Sequence, residues 1–320
     1  MRKTAVLLLN LGSPHKPDKK RIKRFLLEFL SDKRVIERQG LLWQIILRGI
    51  ILNIRPRKSA KAYQKIWLEN GYSPLIYYTQ TLASRLDDLI KTKDLNVFYA
   101  MRYGEPSIKN VLDQLDWNIY QDLIVLPLYP QYSMTTSASC FDAIAAYFKH
   151  KAIIPSLHFI ADYHQHPDYI NAISQSIKHH QALHGQSEKL LFSYHGLPQS
   201  YVDKGDPYYQ QCLVTTRLIA DKLGLDHDQY QMSFQSRFGA QKWLTPYTDK
   251  TLLAFAQEGI KKVQVVCPGF SVDCLETLEE IAIENRHVFL SNGGEDYQYI
   301  PCLNDADSHV NLLKQLCCYL

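Results

Sequence analysis

Two stretches of this chain, in opposite halves, share one pattern: an apolar run that ends in a Gly/Pro loop. Val6-Leu7-Leu8-Leu9-Asn10-Leu11-Gly12-Ser13-Pro14 has its counterpart in Leu190-Leu191-Phe192-Ser193-Tyr194-His195-Gly196-Leu197-Pro198. Leu123–Leu126 before Pro127 is matched in the same way by Val263–Cys267 before Pro268. Short uninterrupted apolar runs mark strands of a parallel sheet, because helices cover both of its faces. Further runs lie at Val97–Ala100 and His158–Ile160, and helical patterns fall between them at Leu82–Ile90, Ile170–His180, Leu213–Leu223 and Thr251–Gln257. Strands alternating with amphipathic helices predict βαβ units. The duplication therefore predicts an α/β chain of two similar Rossmann-like, doubly wound domains with a cleft between them.

Length supports two domains, since 320 residues is about twice the usual domain of roughly 150. The boundary is expected near residue 150. The amino-terminal apolar run is too short for a signal peptide, lacks a small-residue cleavage site and reads as the first strand. No window reaches the roughly 18 uninterrupted apolar residues that a membrane-spanning helix needs. Seven cysteines, odd in number and without tight pairing, point to free thiols in a reducing cytoplasm. None shows the Cys-x-x-Cys spacing of a zinc or iron-sulfur site.

Charge is concentrated in one region. Residues 16 to 61 hold fourteen Lys and Arg against four acids, an excess of ten in a chain whose formal charge is only +4. Such a patch suits anionic lipid or acidic small molecules, and without a nucleic-acid motif no nucleic-acid partner is expected. Within it, Leu41–Ile54 is apolar nearly all round. It reads either as a buried core helix or as a hydrophobic lip that rests on a membrane, with nearby basic residues meeting anionic headgroups at about 1 kcal/mol each.

Open α/β sheets bind ligands beyond the carboxyl ends of their strands, and His195 stands at such an end. A neutral imidazole can take a proton or hold a metal, although a turn histidine can equally be spent on a backbone hydrogen bond. The matching loop in the second half, Cys267-Pro268-Gly269-Phe270-Ser271, leads to Asp273 and Glu276, whose spacing places both carboxylates on one face at the start of a helix. Acids there also serve as caps and dipole partners. One histidine and one carboxylate make a poor permanent metal site, but they suit a metal in transit and proton removal from a weak acid.

The residues resemble the ferrochelatase family, whose members insert ferrous iron into a porphyrin. The motifs run nearly the whole chain: Leu9-Asn10-Leu11-Gly12-Ser13-Pro14, Tyr72-Ser73-Pro74-Leu75, Met101-Arg102-Tyr103-Gly104, Leu128-Tyr129-Pro130-Gln131-Tyr132-Ser133, the His195 loop through Gly205-Asp206-Pro207-Tyr208, Phe234-Gln235-Ser236-Arg237-Phe238-Gly239, Trp243-Leu244, and Asp273 to Leu278. The resemblance implies two Rossmann-like domains, 1–150 and 151–304, each on a parallel four-stranded sheet, and a segment 305–320 packing back on the body. It implies that His195 and Glu276 face the iron, with His195 as the base for pyrrole protons. Asp273 and Glu280 would form a path for protons or metal. Leu11, Arg55, Ser73, Arg102, Tyr103, Tyr129, Tyr208, Trp243 and Phe270 would line the porphyrin site. A porphyrin is a flat π surface edged by propionates, so aromatic walls and a few cations such as Arg55 and Arg102 fit it.

This sequence departs from some relatives at three positions. Cys274 replaces a histidine beside the acidic helix, which removes a second imidazole from the path. Met134 stands where certain eukaryotic members have a cysteine, so no [2Fe-2S] cluster and no permanent cofactor is expected; Fe2+ is a substrate. Leu11 replaces the tyrosine of coproporphyrin-using members, which favours protoporphyrin IX. Alternatives are a coproporphyrin III ferrochelatase, a cobalt or nickel chelatase acting on a more polar tetrapyrrole, and a non-catalytic haem or metal carrier. Location is expected in the cytoplasm, with peripheral contact at the inner face of the membrane.

Overall fold

Ala5 to Leu9 are wholly inaccessible to solvent, as an unbroken apolar run requires of a strand covered on both faces. The computed structural model describes residues 3–37, 39–90, 94–239 and 241–318. Its strands are β1 (Lys3–Asn10), β2 (Leu95–Met101), β3 (Tyr120–Pro127), β4 (Ser156–Phe159), β5 (Lys189–His195), β6 (Tyr230–Gln235), β7 (Lys262–Val266) and β8 (Asp296–Ile300). They form two four-stranded sheets of the same order, β2-β1-β3-β4 and β6-β5-β7-β8, and every pairing is parallel. The predicted doubly wound α/β class and its duplication are both present.

The copies share a close backbone approach just past the end of each first strand. A Cβ on Gly12 would stand 1.8 Å from the Tyr103 carbonyl oxygen, and one on Gly196 would stand 2.6 Å from that of Gln235. Tyr103 follows β2 and Gln235 ends β6, the corresponding neighbour strands. Glycine in these loops is therefore a demand of close backbone approach, made once in each copy.

Each sheet carries its own core. In the first, Leu7 and Leu9 pack with Leu123 and Val125 and with Cys140, Ile144 and Phe148 of the helix Ser137–Phe148. In the second, Leu191, Val263 and Val265 pack with Leu252, Phe255, Ile281 and Phe289. Full burial of such a side chain contributes about 1.5–3 kcal/mol.

The chain divides into two units, one of Met1–Tyr129, Ser133–Asp162 and Leu313–Leu320, the other of Pro130–Tyr132 and Tyr163–Leu312. The division falls beyond the expected residue 150, because β4 pairs with β3 and completes the first sheet. The division also passes through the expected segment 305–320. Its helix Asp307–Cys318 is apportioned at Leu312 and Leu313.

Two helical stretches are wound wider than an α-helix, as π-helix: Ile46–Ile51 and Glu276–Asn285. Widening loosens the usual carbonyl pairing, and an asparagine answers it each time. Asn53 Nδ2 donates to the carbonyls of Gly49 at 2.8 Å and Arg48 at 3.1 Å. Asn285 Nδ2 donates to the Glu280 carbonyl at 2.8 Å.

Candidate active site

In the second sheet β5 lies between β6 and β7, at the point where the strand order reverses and such sheets bind ligands. His195 ends β5 and is exposed. Its Nδ1 is 2.7 Å from the Gly196 carbonyl oxygen. A carbonyl only accepts, so Nδ1 carries a proton, and the neutral tautomer this hydrogen bond selects has its lone pair on Nε2. The turn hydrogen bond and the chemical role considered for this residue are therefore compatible, because one orients the other. Trp243 is buried over Gly196, its Cε3 3.2 Å from where a Cβ would be, and its indole N–H donates to the Phe238 carbonyl at 3.0 Å. Phe270, in the loop after β7, has its ring centroid 6.4 Å from that of His195.

Asp273 differs from the expectation. The helix begins after it, and its buried carboxylate is held by three neutral donors: Tyr299 Oη at 2.6 Å, Thr277 Oγ1 at 2.9 Å and Asn304 Nδ2 at 2.7 Å. Asp273 and Glu276 thus do not present a shared acidic face. Cys274 is buried beside it; burial pushes its thiol well up, and Glu276 pushes the same way. A thiol so disposed is inert.

Glu276 and Glu280 both lie on the π-helical segment. Gln235 Nε2 donates to the Glu276 carbonyl at 2.8 Å, and Ser193 Oγ donates to Gln235 Oε1 at 2.7 Å, tying the segment to the sheet. Ser236, held at φ 64°, donates its N–H to Glu280 Oε1 at 2.7 Å and its hydroxyl to Oε2. Burial raises the Glu280 carboxyl above its ordinary range; the Ser236 bonds and the His195 imidazole draw it down, while Glu276 pushes it up. His195, Glu276 and Glu280 therefore share one electrostatic neighbourhood. Among the described residues, no three His, Cys, Asp or Glu side chains are grouped so as to hold a metal ion.

Tyr208 is the remaining expected residue in the second unit. It is buried at the start of the helix Tyr208–Leu223, its N–H bound to Asp206 Oδ1 at 3.0 Å.

In the first unit, Leu11, Arg102 and Tyr103 come together just past β1 and β2: Arg102 N–H donates to the Asn10 carbonyl at 2.8 Å and Tyr103 N–H to that of Leu11 at 2.9 Å. The cation role expected of Arg102 meets a competitor. Its guanidinium binds Asp32 Oδ2 at 2.5 Å and Ser139 Oγ at 2.7 Å. The Tyr103 hydroxyl donates to the same Asp32 oxygen at 2.7 Å, and the residue is 1% exposed, so its ring is core rather than an open wall. Burial raises the Asp32 carboxyl, but hydrogen bonds from Ser139 and Tyr103 and the Arg102 charge outweigh it and hold the group below its ordinary value. Tyr129 packs on the first core past the end of β3. Ser73 caps the helix Pro74–Ile90, accepting from Ile76 N–H at 3.4 Å, and lines a cavity of about 330 Å³ with Pro14, Trp67, Tyr72 and Tyr99.

The apolar stretch 41–54 buries one side and exposes the other. Leu47 and Leu52 pack against Leu30, whereas Leu41 is 80% and Ile54 67% exposed, with Leu42, Ile45 and Ile50 exposed between them. The alternative of a wholly buried helix does not hold. Arg55 is exposed on the same continuous helix. No helix among the described residues is long and apolar enough to cross a membrane.

Gln235, Ser236, Tyr299 and Asn304 were not among the expected site residues. Phe234-Gln235-Ser236 belongs to a recognised motif, but nothing in its residue types announces that it grips the acidic helix.

The fold is that of chelatases. The structure of SirB from Bacillus subtilis with Fe3+ is similar, with a TM-score of 0.56 at 10% identity, covering 98% of this chain and 95% of that one. The sirohydrochlorin chelatase SirB from Bacillus subtilis subspecies spizizenii, in complex with cobalt, gives 0.55 at 10% identity, covering 97% and 91%. The sequence carries the identification further. The ferrochelatase family model matches residues 3–319. Ferrochelatases of Teredinibacter turnerae and Edwardsiella ictaluri are each 50% identical over 98% of this chain, covering 86% and 97% of their own lengths; that of Vibrio cholerae is 47% identical over 98%, covering 97% of its length. This chain belongs to the ferrochelatase family, the metal-chelating lyases of haem synthesis.

Proposed function

We propose that this protein inserts Fe(II) into protoporphyrin IX to form haem b, with His195 as the base and with His195 and Glu276 facing the iron. Two pyrrole N–H bonds break, the metal takes the four ring nitrogens, and two protons leave. The observation that carries the reading is the His195 ring, whose Nδ1 proton is held by Gly196, leaving Nε2 to accept, with Glu276 and Glu280 in the same field. Glu280, inclined toward protonation by burial, is suited to relay protons with Glu276. Leu11, Arg55, Ser73, Tyr129, Tyr208, Trp243 and Phe270 serve the porphyrin; Arg102 and Tyr103 shape the strand ends around it. A pair of ligands such as His195 and Glu276 suits a metal that is passed on in the product rather than one that is kept.

Anaerobic incubation with Fe(II) and each porphyrin tests this. Wild-type protein is expected to turn over protoporphyrin IX faster than coproporphyrin III, and His195→Ala to fold normally and lose turnover. Full activity of that variant refutes the base assignment, and a preference for coproporphyrin III refutes the substrate.

The exposed apolar side of 41–54 within a basic region supports a second element of the reading: peripheral contact with anionic lipid at the cytoplasmic face of the membrane.

A further inference from the structure

The acidic helix is held at its start by a set of bonds that the proposed chemistry does not use. Asp273 and Asn304 grip each other at two points: Asp273 N–H donates to Asn304 Oδ1 at 2.8 Å, and Asn304 Nδ2 donates to Asp273 Oδ2 at 2.7 Å. Asn304 is one of two non-glycine residues among those described with a left-handed backbone, at φ 49°, a conformation asparagine tolerates and most side chains do not. Its N–H donates to the Ser271 carbonyl at 3.1 Å. Its own carbonyl accepts from His309 Nδ1 at 2.6 Å, and His309 is 0% exposed. On the other side, Asp273 Oδ1 takes the hydroxyls of Tyr299 and Thr277, and Thr277 Oγ1 accepts the N–H of Cys274 at 3.0 Å. Thr277 is the residue after Glu276.

We propose that Asp273, Asn304 and His309 form a positioning clamp that fixes where the π-helical segment begins and so holds Glu276 and Glu280 in place, and that Asp273 itself passes neither iron nor protons. A carboxylate offers about four lone-pair sites; three are filled here, and the group is buried. Releasing it to ligate a passing cation would break the bonds that locate the helix. Removing one grip lets the segment shift, and carboxylates displaced by even an ångström lose much of their effect. The proposal rests on the iron-insertion reading for its kinetic consequence but not for its structural one.

Asn304→Gly is the decisive variant, because glycine keeps the left-handed backbone and loses both side-chain bonds. Its kcat for iron insertion is expected to fall by about 10–100-fold, the usual effect of losing an outer-shell partner. KM for iron should rise while KM for porphyrin stays unchanged. Amides of 276–285 should exchange hydrogen faster than in wild type. Asp273→Asn should behave alike, and the double variant no worse than either single one, since both cut one connection. Tyr299→Phe, which removes a single hydroxyl and retains the ring, should show a smaller loss of the same kind and guards against a folding defect in the others. Wild-type kinetics in Asn304→Gly, or losses that simply add in the double variant, overturn the clamp. If wild-type protein inserts no iron but Asn304→Gly still loosens 276–285, the clamp stands and the functional reading falls.

Discussion

Gly196 accepts the Nδ1 proton of His195 at 2.7 Å while donating its own N–H to the Gln235 carbonyl at 2.7 Å. One residue without a side chain therefore sets the tautomer of the imidazole and ties it to the neighbouring strand. Gly196→Ala places a methyl 2.6 Å from that carbonyl oxygen, which costs about 1–3 kcal/mol through forced backbone movement. Turnover should fall more than stability, because the displaced atoms orient the proposed base. Thermal unfolding and steady-state kinetics on the same preparation check both.

His309 links stability to pH. Burial holds its imidazole down to about 4 from an ordinary 6.5, so the folded chain keeps it neutral while the unfolded chain protonates it first. Stability from this residue is complete above about pH 6.5 and is lost as pH falls toward 4, a change of about 3 kcal/mol. Denaturant melts of wild type and His309→Gln between pH 7 and pH 4 should converge as the pH drops.

Asp32 gathers Arg102, Tyr103 and Ser139 on one oxygen. Asp32→Ala leaves a guanidinium and two hydroxyls without their acceptor in a largely buried setting, at a cost of about 3 kcal/mol. Asp32→Asn retains an acceptor but not the charge and should cost less. Urea unfolding of the two variants ranks them.

The lip makes a prediction of the opposite kind. Leu41→Asp with Ile54→Asp changes residues that make little contact with the protein, so stability should move by less than about 0.5 kcal/mol. Flotation with anionic liposomes should drop sharply while turnover in detergent-free buffer persists. Unchanged flotation counts against contact through this face.

Much of this architecture was legible in the chain. The buried strands β1, β3, β5 and β7 announce themselves because both faces are covered, which forces a continuous apolar run. β6 and β8, outer strands of the second sheet, did not: Tyr-Gln-Met-Ser-Phe-Gln and Asp-Tyr-Gln-Tyr-Ile mix polar with apolar residues, as edges allow. The loops bearing His195 and Glu276 were legible from the repeated strand-then-Pro/Gly pattern. The roles of Asp273 and Arg102 were not, because the partners that claim them, Asn304 and Asp32, lie far away in sequence and carry no local signal. Nor does residue order distinguish a π-helical turn from an α-helical one, although the asparagines at 53 and 285 now look like its trace.

In sequence, the glycines Gly12 and Gly196 that follow the first strand of each copy align Leu11 with His195. A symmetric assembly of identical subunits must give every subunit the same loop. Joining the copies in one chain lifts that constraint, so a position can be greasy in one repeat and basic in the other. The two copies accordingly share one sheet order while their strand-end loops carry different side chains.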